Sequence, residues 1–307
     1  MYYIVYFFWY VLSLMPLRIH YAFSDFLFLI IYHMMGYRKT IVRNNLTSSF
    51  PNKTEKELRR IEKEFYHWFG DYIVETVKMF SMSEKEMRNR MQFDGIEQIN
   101  REFDAGHSVT VYLGHYCNWE WITSLPLNIN PKATAAQLYH PIENKIVDRL
   151  FLYSRERFGA KSLEMKQALG ILRGWQKERR LFVTGYISDQ VPGYSSMHYW
   201  PMFLNHETPA YTGAERIARL LNTPVYYFDI SRPRRGYYVA KIIKICDEPR
   251  KEDKFSITAT YYQLLEESIQ RHPQYWLWSH NRWKRQWKDF VEYFPDKQER
   301  KRILNKL

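Results

Sequence analysis

Two almost uncharged stretches open the chain. Residues 2–15 carry no charge and residues 22–35 carry only Asp25, with Arg18 and His20 between them. Each run is shorter than the roughly 20 residues that cross the bilayer core. Taken together, residues 1–36 predict a membrane-inserting helical element, either a tilted span or a hairpin that dips into one leaflet. A hairpin buried in the protein core is the alternative.

A cluster of basic residues follows this element at once. Arg38, Lys39 and Arg43 stand directly after it. Because membrane proteins keep an excess of cations on the cytoplasmic side, the remaining residues, 37–307, are predicted to form one domain on that side of the cytoplasmic membrane.

Helical and strand patterns alternate along that domain. Thr54 and Glu57 form a capping box before apolar residues at helical spacing. Beta-rich runs at 108–113, 181–187 and 225–230 alternate with helical segments, and residues 237–245 alternate like a half-exposed edge strand. This order predicts an α/β fold in which helices flank a mixed central sheet of six or seven strands.

A histidine and a carboxylate follow the first of these strands. The run 108–113 ends at Gly114, and His115 and Glu120 come next. If a helix opens at Asn118 or Trp119, its first turn brings Glu120 back to the imidazole of His115. A carboxylate in that place fixes the tautomer of a general base and stabilises its imidazolium form. The spacing alone fits equally well a structural histidine followed by a solvated glutamate.

A second polar group follows the run 181–187. Ser188, Asp189 and Gln190 stand where open α/β sheets bind their ligands, at the end of a strand. An ordinary turn is the alternative, since Pro192 and Gly193 follow.

The composition indicates an anionic partner. Lys and Arg number 45 against 33 acidic residues, a net charge of +12, and Trp, Tyr and Phe make up 18% of the chain. Cations with amphipathic rings suit an anionic membrane surface, and Trp276, Trp278, Trp283 and Trp287 interleave with basic residues in the same way. A solvated face with a few packed rings is the alternative for that segment. No nucleic-acid motif accompanies the charge, so nucleic acid is not an expected partner.

The two cysteines lack the spacing of a metal site or a disulfide framework. Cys117 and Cys246 therefore indicate a reducing compartment. Cys117 lies two residues after His115, so a thiol nucleophile is a minor alternative that would require a lowered thiol pKa.

An ordered set of motifs resembles one enzyme family. It comprises LGHYCNWEW at 113–121, NKIVDRLFLYSRERFG at 144–159, GYISDQVP at 185–192, WPMFL at 200–204, TGAERIARLLNTPV at 212–225 and HPQYWLWSHNRWK at 272–284. The set is similar to the late acyltransferases of lipid A biosynthesis, a branch of the lysophospholipid acyltransferase superfamily. The resemblance implies a glycerolipid acyltransferase-like fold at the inner membrane.

The resemblance also implies an activity and a site. His115 and Glu120 would be catalytic, and Asn118, Arg155, Asp189 and Gln190 would contact substrate. Arg155 would hold an oxyanion or a phosphate. The aromatic residues of segment 194–203 predict the wall of an acyl-chain tunnel, with packing in the core as an equal alternative. His140 stands where many relatives have arginine, which puts a phosphate-binding role there in doubt.

The implied reaction moves an acyl chain from acyl carrier protein to a hydroxyl of a lipid A precursor. We expect no metal or cofactor, only acyl carrier protein or coenzyme A as the carrier of the co-substrate, and anionic membrane lipid as a further partner. Two alternatives stay open. One is an acyltransferase or hydrolase for a lysophospholipid or amino-acid lipid, and the other is a non-catalytic protein that binds membrane surfaces.

Overall fold

The computed structural model describes residues 1–304 and Lys306. In chain order its helices are α1 Tyr2–Leu14, α2 Leu17–Phe28, α3 Lys39–Ser49, α4 Glu55–Lys78, α5 Glu84–Arg90, α6 Ile96–Asp104, α7 Lys145–Glu156, α8 Ala168–Lys177, α9 Gly213–Leu221, α10 Ser256–Arg271, α11 Trp287–Tyr293 and α12 Lys297–Leu304. A π-helical turn, Leu29–Met34, extends α2, and shorter 3₁₀ helices cover Trp121–Leu127, Tyr194–Ser196 and Pro273–Tyr275.

A seven-stranded sheet forms the centre of the molecule. Its strands are β1 Met91–Asp94, β2 Val109–Leu113, β3 Thr134–Tyr139, β4 Lys161–Glu164, β5 Phe182–Ile187, β8 Val225–Arg234 and β9 Tyr237–Cys246. Their spatial order is β1-β9-β8-β2-β5-β3-β4, and only the β8–β9 pair is antiparallel. Strands β6 Met202–Phe203 and β7 His206–Glu207 form a separate small ribbon. The predicted mixed sheet between helices is therefore confirmed.

One strand lies elsewhere than its pattern predicted. The alternation at 237–245 indicated an edge strand, but β9 is paired on both sides, with β1 and with β8. The prediction was wrong because a strand near the side of a sheet keeps one face partly solvated even when both of its edges are hydrogen-bonded.

The long helix α4 joins the sheet to the N-terminal element. The predicted capping box starts this helix, since the Thr54 hydroxyl accepts the amide of Glu57 and the Glu57 carboxylate accepts the amide of Thr54. Phe65 and Trp68 are buried on its inner face. Helices α1 and α2 pack along the same helix. The element at residues 1–36 is thus docked on the body of the protein.

Hydrogen bonds hold α1 and α2 against α4. The Ser24 hydroxyl donates to Asp71 Oδ1 at 2.7 Å, and the Tyr21 hydroxyl donates to Glu75 Oε1 at 2.9 Å. Lys78 Nζ donates to the carbonyl of Ser13, in the last turn of α1, at 2.9 Å. Docking removes these polar groups from water. Each hydrogen bond therefore satisfies a polar atom that would otherwise be costly to bury.

The opposite face of the N-terminal element is exposed and apolar. Its exposed side chains include Ile4, Phe7, Phe8, Leu12, Ile19, Phe23, Phe26, Leu29, Met34 and Met35. Among the described residues, no single helix has the length and hydropathy of a membrane span. Among these residues, α1 and the helix Leu17–Met34 have that length and hydropathy only when they are taken together, and they meet at a bend of 110°.

Candidate active site

The parallel pairing of β2 with β5 brings two polar strand ends together. Leu113 of β2 is in register with Ile187 of β5. His115 and Asp189 each stand two residues beyond that pair, at the carboxyl edge of the sheet. Gly114, just before His115, packs closely on helix α10: a Cβ atom there would lie 2.6 Å from Leu265 Cδ1, so a larger residue would displace that side chain.

Asp189 binds His115 through both carboxylate oxygens. His115 Nδ1 lies 2.6 Å from Asp189 Oδ1, and the His115 amide donates to Oδ2 at 2.9 Å. Trp276 Nε1 donates to the same Oδ2 at 2.7 Å. Burial raises the pKa of Asp189, but the charge of His115 and the hydrogen bonds from His115 and Trp276 outweigh it and lower the pKa to about 2. An ionised Asp189 keeps the proton of the neutral imidazole on Nδ1, so Nε2 is an acceptor.

Glu120 does not contact this imidazole, contrary to the sequence-based expectation. Its two carboxylate oxygens accept Arg155 Nε at 2.8 Å and Nη2 at 2.7 Å. Burial raises the pKa of Glu120, but the charge and hydrogen bonds of Arg155 outweigh it, so the net shift is downward. The carboxylate that orients His115 is therefore Asp189, and Glu120 is half of a bidentate ion pair with Arg155.

The backbone after His115 explains this difference. The His115 carbonyl accepts the Leu277 amide at 3.1 Å, and the Cys117 amide donates to the Tyr275 carbonyl at 2.8 Å. Residues 115–117 therefore pair with segment 275–277 through an isolated antiparallel β-bridge between Tyr116 and Trp276. The 3₁₀ helix begins only at Trp121, which directs Glu120 away from the imidazole.

Asn118 is also turned away from substrate. It is fully buried, its Nδ2 donates to Glu75 Oε2 at 2.7 Å, and its Oδ1 accepts the Trp121 amide at 3.1 Å. Both ends of the side-chain amide are thus used inside the protein, and the expectation that Asn118 contacts substrate is wrong. The residue instead links the turn after His115 to helix α4.

Cys117 has the properties of a structural thiol. The side chain is fully buried, and burial raises the pKa of the thiol well above its ordinary value. Reactive cysteines need the opposite shift and access to substrate. A covalent acyl-cysteine intermediate at this position is therefore disfavoured.

A cavity of about 810 Å³ adjoins the histidine. Its wall contains His115, Glu120, Arg155 and Gln190, and His140 also lies on it. The sheet contributes the small residues Ala135 and Gly185, which leave space for the cavity beside the strands. The remaining wall is mostly apolar and includes residues of three helices, with Ile122, Leu125, Leu169 and Ile217 among its members.

The segment 194–203 does not form part of this wall. None of its residues lines the cavity. Tyr194 instead stacks on Tyr293 with ring centroids 4.3 Å apart, and Trp200 packs against Trp287 and Phe290. The predicted tunnel wall is therefore a contact with helix α11, because aromatic density alone does not distinguish a ligand wall from a packing surface.

Comparison with known proteins identifies the family. The sequence profile described as bacterial lipid A biosynthesis acyltransferase matches residues 1–285. The chain belongs to this family. It is 24% identical over 260 residues to the lipid A biosynthesis lauroyltransferase of Escherichia coli, covering 81% of this chain and 80% of that protein.

Two further relatives belong to the same pathway by name. The chain is 24% identical to a lipid A biosynthesis acyltransferase of Haemophilus influenzae, over 80% of this chain and 78% of the relative. It is 21% identical to the lipid A biosynthesis palmitoleoyltransferase of E. coli, over 80% and 79%. Membership in the lipid A biosynthesis acyltransferase family makes this protein an acyl-transferring enzyme.

Two residues near the reaction centre of this acyltransferase escaped the sequence-based interpretation. Trp276 was assigned to a membrane-facing segment, but it is buried and donates to Asp189. His280 accepts the amide of Val191 at 3.3 Å, and burial lowers its pKa to about 4, so it holds the loop after Gln190 as a neutral side chain. The sequence signal for both was their place in the motif at 272–284, since both lie more than 85 residues from Asp189 along the chain.

The arrangement is suited to proton transfer. Among the described residues, no group of three or more His, Cys, Asp or Glu side chains is placed to hold a metal ion. An acceptor Nε2 backed by an ionised carboxylate can take a proton from a hydroxyl group and stabilise the positive charge that results.

Proposed function

We propose that this enzyme transfers a fatty acyl chain from acyl carrier protein to a hydroxyl group of a lipid A precursor. The observation that carries the proposal is the His115–Asp189 pair in the wall of a mostly apolar cavity. The acceptor class is supported by the names of the relatives, which include a lauroyltransferase and a palmitoleoyltransferase of lipid A biosynthesis.

Proton transfer begins the reaction. His115 Nε2 takes the proton of the acceptor hydroxyl as its oxygen attacks the thioester carbonyl carbon. The tetrahedral intermediate then collapses, the carbon–sulfur bond breaks, and the leaving thiolate takes the proton from the His115 imidazolium. Asp189 stabilises that imidazolium between the two steps, which is where a positioned carboxylate contributes most.

Gln190 is assigned to the acceptor side of the site. Its Nε2 lies 3.4 Å from His115 Nε2, close to the position that the attacking oxygen must take. The amide can therefore hold that oxygen or the oxyanion that follows it. The Glu120–Arg155 pair lies in the same wall, and because Glu120 balances the Arg155 charge, we assign the pair to shaping the cavity.

The choice of donor rests on charge and on the cavity. The acyl chain of a thioester fits an apolar cavity of this size. The net charge of +12 favours the approach of an acidic carrier protein. Acyl coenzyme A is the alternative donor, and both use the same chemistry at His115. No other cofactor is expected.

The N-terminal element is assigned to the membrane surface. Phe7 is 60% exposed and Phe26 is 55% exposed, on a face that carries no partner among the described residues. Because the other face is docked on α4, we propose that residues 1–36 lie in the interface of the inner membrane, with the domain 37–307 on the cytoplasmic side. The boundary at residue 36 stays a prediction.

Mass spectrometry of cellular lipids tests this function. Lipid A and phospholipids are compared in cells that lack the protein and in cells complemented with wild type, His115→Ala or His107→Ala. His107 is an exposed histidine just before β2, paired with Glu102, and is a matched control. We expect loss of one acyl chain from lipid A, restored by wild type and His107→Ala but not by His115→Ala.

Other outcomes would change the proposal. If lipid A is unchanged and a phospholipid or aminolipid is missing, the acceptor is that other lipid, and the acyl-transfer chemistry at His115 still holds. Full restoration by His115→Ala would reject the mechanism.

A further inference from the structure

A second concave site lies between α3 and α4, away from the catalytic cavity. It is lined by six cationic side chains, by Tyr32 and by two glutamates, and we name it the basic groove. Its residues are Tyr32, Lys39, Arg43, Glu55, Lys56, Glu57, Arg59, Arg60 and Lys63. It shares no lining residue with the cavity at His115.

The acidic residues of the basic groove are already engaged. Glu57 is held in the capping box with Thr54, and Glu55 accepts Arg59. Arg43 is paired with the buried Glu62 behind the groove at 3.0 Å. These contacts pair Arg43 and Arg59 and use both glutamates that line the groove.

Three exposed cations remain for a ligand. Lys56 and Lys63 have no ion-pair partner in the part of the chain that the structure describes, and Arg60 has only the exposed Glu64 at 3.7 Å. Lys39 Nζ lies 3.9 Å from the centre of the Tyr32 ring, which holds a fourth cation at the same site. A concentration of positive charge on neighbouring helix turns attracts an anion with several oxygens.

The basic groove begins where the exposed apolar face ends. Tyr32 and Lys39 line the groove, and Met34 and Met35, 79% and 68% exposed, lie between them in the chain. A bound molecule can therefore place charged and apolar parts in adjoining regions. Proteins that rest on membranes combine these two signals, since neither alone gives stable attachment.

We propose that the basic groove binds the phosphate headgroup of an anionic phospholipid whose acyl chains lie beside Met34 and Met35. The proposal rests on the membrane placement of residues 1–36 given above. It explains why a groove with an excess of four cations over acids adjoins the apolar face. An acidic carrier protein fits less well, because the groove is separate from the cavity that must receive the acyl chain.

Vesicle co-sedimentation of the full chain tests the proposal. Binding is measured to phosphatidylcholine vesicles and to vesicles of phosphatidylcholine mixed equally with phosphatidylglycerol. The test variant is Lys56→Gln/Arg60→Gln/Lys63→Gln, and the control is Lys297→Gln/Lys301→Gln/Arg302→Gln on α12, which removes the same charge from exposed positions. Acyl transfer to a detergent-dispersed acceptor verifies that both variants are folded.

We expect the test variant to bind the anionic vesicles about 10- to 100-fold more weakly at low ionic strength, because each cation near such a surface contributes separately. Its binding to neutral vesicles and its acyl transfer should match wild type, and the control should keep its anionic binding. Equal losses in both variants would reject the groove in favour of overall charge.

Two results would overturn the assignment in other ways. Unchanged vesicle binding with a raised KM for acyl carrier protein would make the groove a carrier site. If wild type binds neither kind of vesicle, both the membrane placement of residues 1–36 and the headgroup site are rejected. If wild type binds and the test variant binds equally well, only the headgroup site in the basic groove is rejected.

Discussion

The strand-end site and the N-terminal element depart from ordinary burial in opposite directions. At the carboxyl ends of β2 and β5 the protein buries an ionised Asp189 and the Glu120–Arg155 pair. On α1 and α2 it exposes Phe7 and Phe26. Each departure has its own compensation: the buried charges are hydrogen-bonded, and the exposed rings lie on a face suited to lipid. Under the proposed function, the first departure serves proton transfer and the second serves contact with the membrane.

Phenylalanine substitutions give the largest contrast, between the core residues of α4 and the exposed face of the N-terminal element. Phe65→Ala removes a fully buried ring from α4 and should lower the free energy of unfolding by about 3–5 kcal/mol. Phe7→Ala/Phe26→Ala should change it by less than about 0.5 kcal/mol per residue, yet weaken binding to vesicles. Urea denaturation and vesicle co-sedimentation measure the two effects. A large loss of stability in the double variant would show that the exposed face belongs to the core.

Acid stability tests the buried charge of Asp189. The pKa of Asp189 is about 2 in the folded protein against an ordinary 3.8. Because the folded-state pKa is lowered, the stabilisation is present above pH 4 and is lost as the pH falls toward 2, an effect of roughly 2 kcal/mol. Asp189→Asn should therefore lose less stability than wild type between pH 5 and pH 2 in urea titrations. Identical pH slopes would contradict an ionised Asp189 in the folded protein.

Paired tryptophan substitutions sharpen the account of the site. Trp276→Phe removes a donor to Asp189, and Trp278→Phe removes one to the Pro273 carbonyl. Each should cost about 1–2 kcal/mol of stability, since a buried acceptor loses its partner. Only Trp276→Phe should also lower kcat, by about tenfold, with little change in KM. Equal kcat values for the two variants would make Trp276 a packing residue.

The sequence predicted the central sheet and the position of His115 at a strand end, but it paired His115 with Glu120, whereas the structure pairs it with Asp189. The register of β2 and β5 places Asp189 beside His115, and register depends on pairing that a local pattern does not contain. The spacing from His115 to Glu120 indicated a helical turn, which the pairing of residues 115–117 with segment 275–277 prevents. Trp276 was misread for the same reason, because its partner lies 87 positions away along the chain.

The hydrophobic pattern of the N-terminus predicted that the segment is helical, but it did not predict how the helices pack on the rest of the protein. Its apolar runs predicted helices, and α1 and α2 are helices. The docking of one face depends on Asp71 and Glu75, two carboxylates of α4 that an isolated helix would keep in water. The sequence of the N-terminal element alone does not contain these partners, so it could not show which face is docked.

The most direct test of the central claim compares the two carboxylates by rate. Transfer from acyl carrier protein to the acceptor is measured for Asp189→Asn and for the double variant Glu120→Gln/Arg155→Gln, which removes both charges so that neither stays buried alone. We predict a fall of about 10²–10⁴-fold for Asp189→Asn and at most about tenfold for the double variant. The reverse order, with Asp189→Asn near wild type and the double variant inactive, would show that Glu120 is the carboxylate that serves His115.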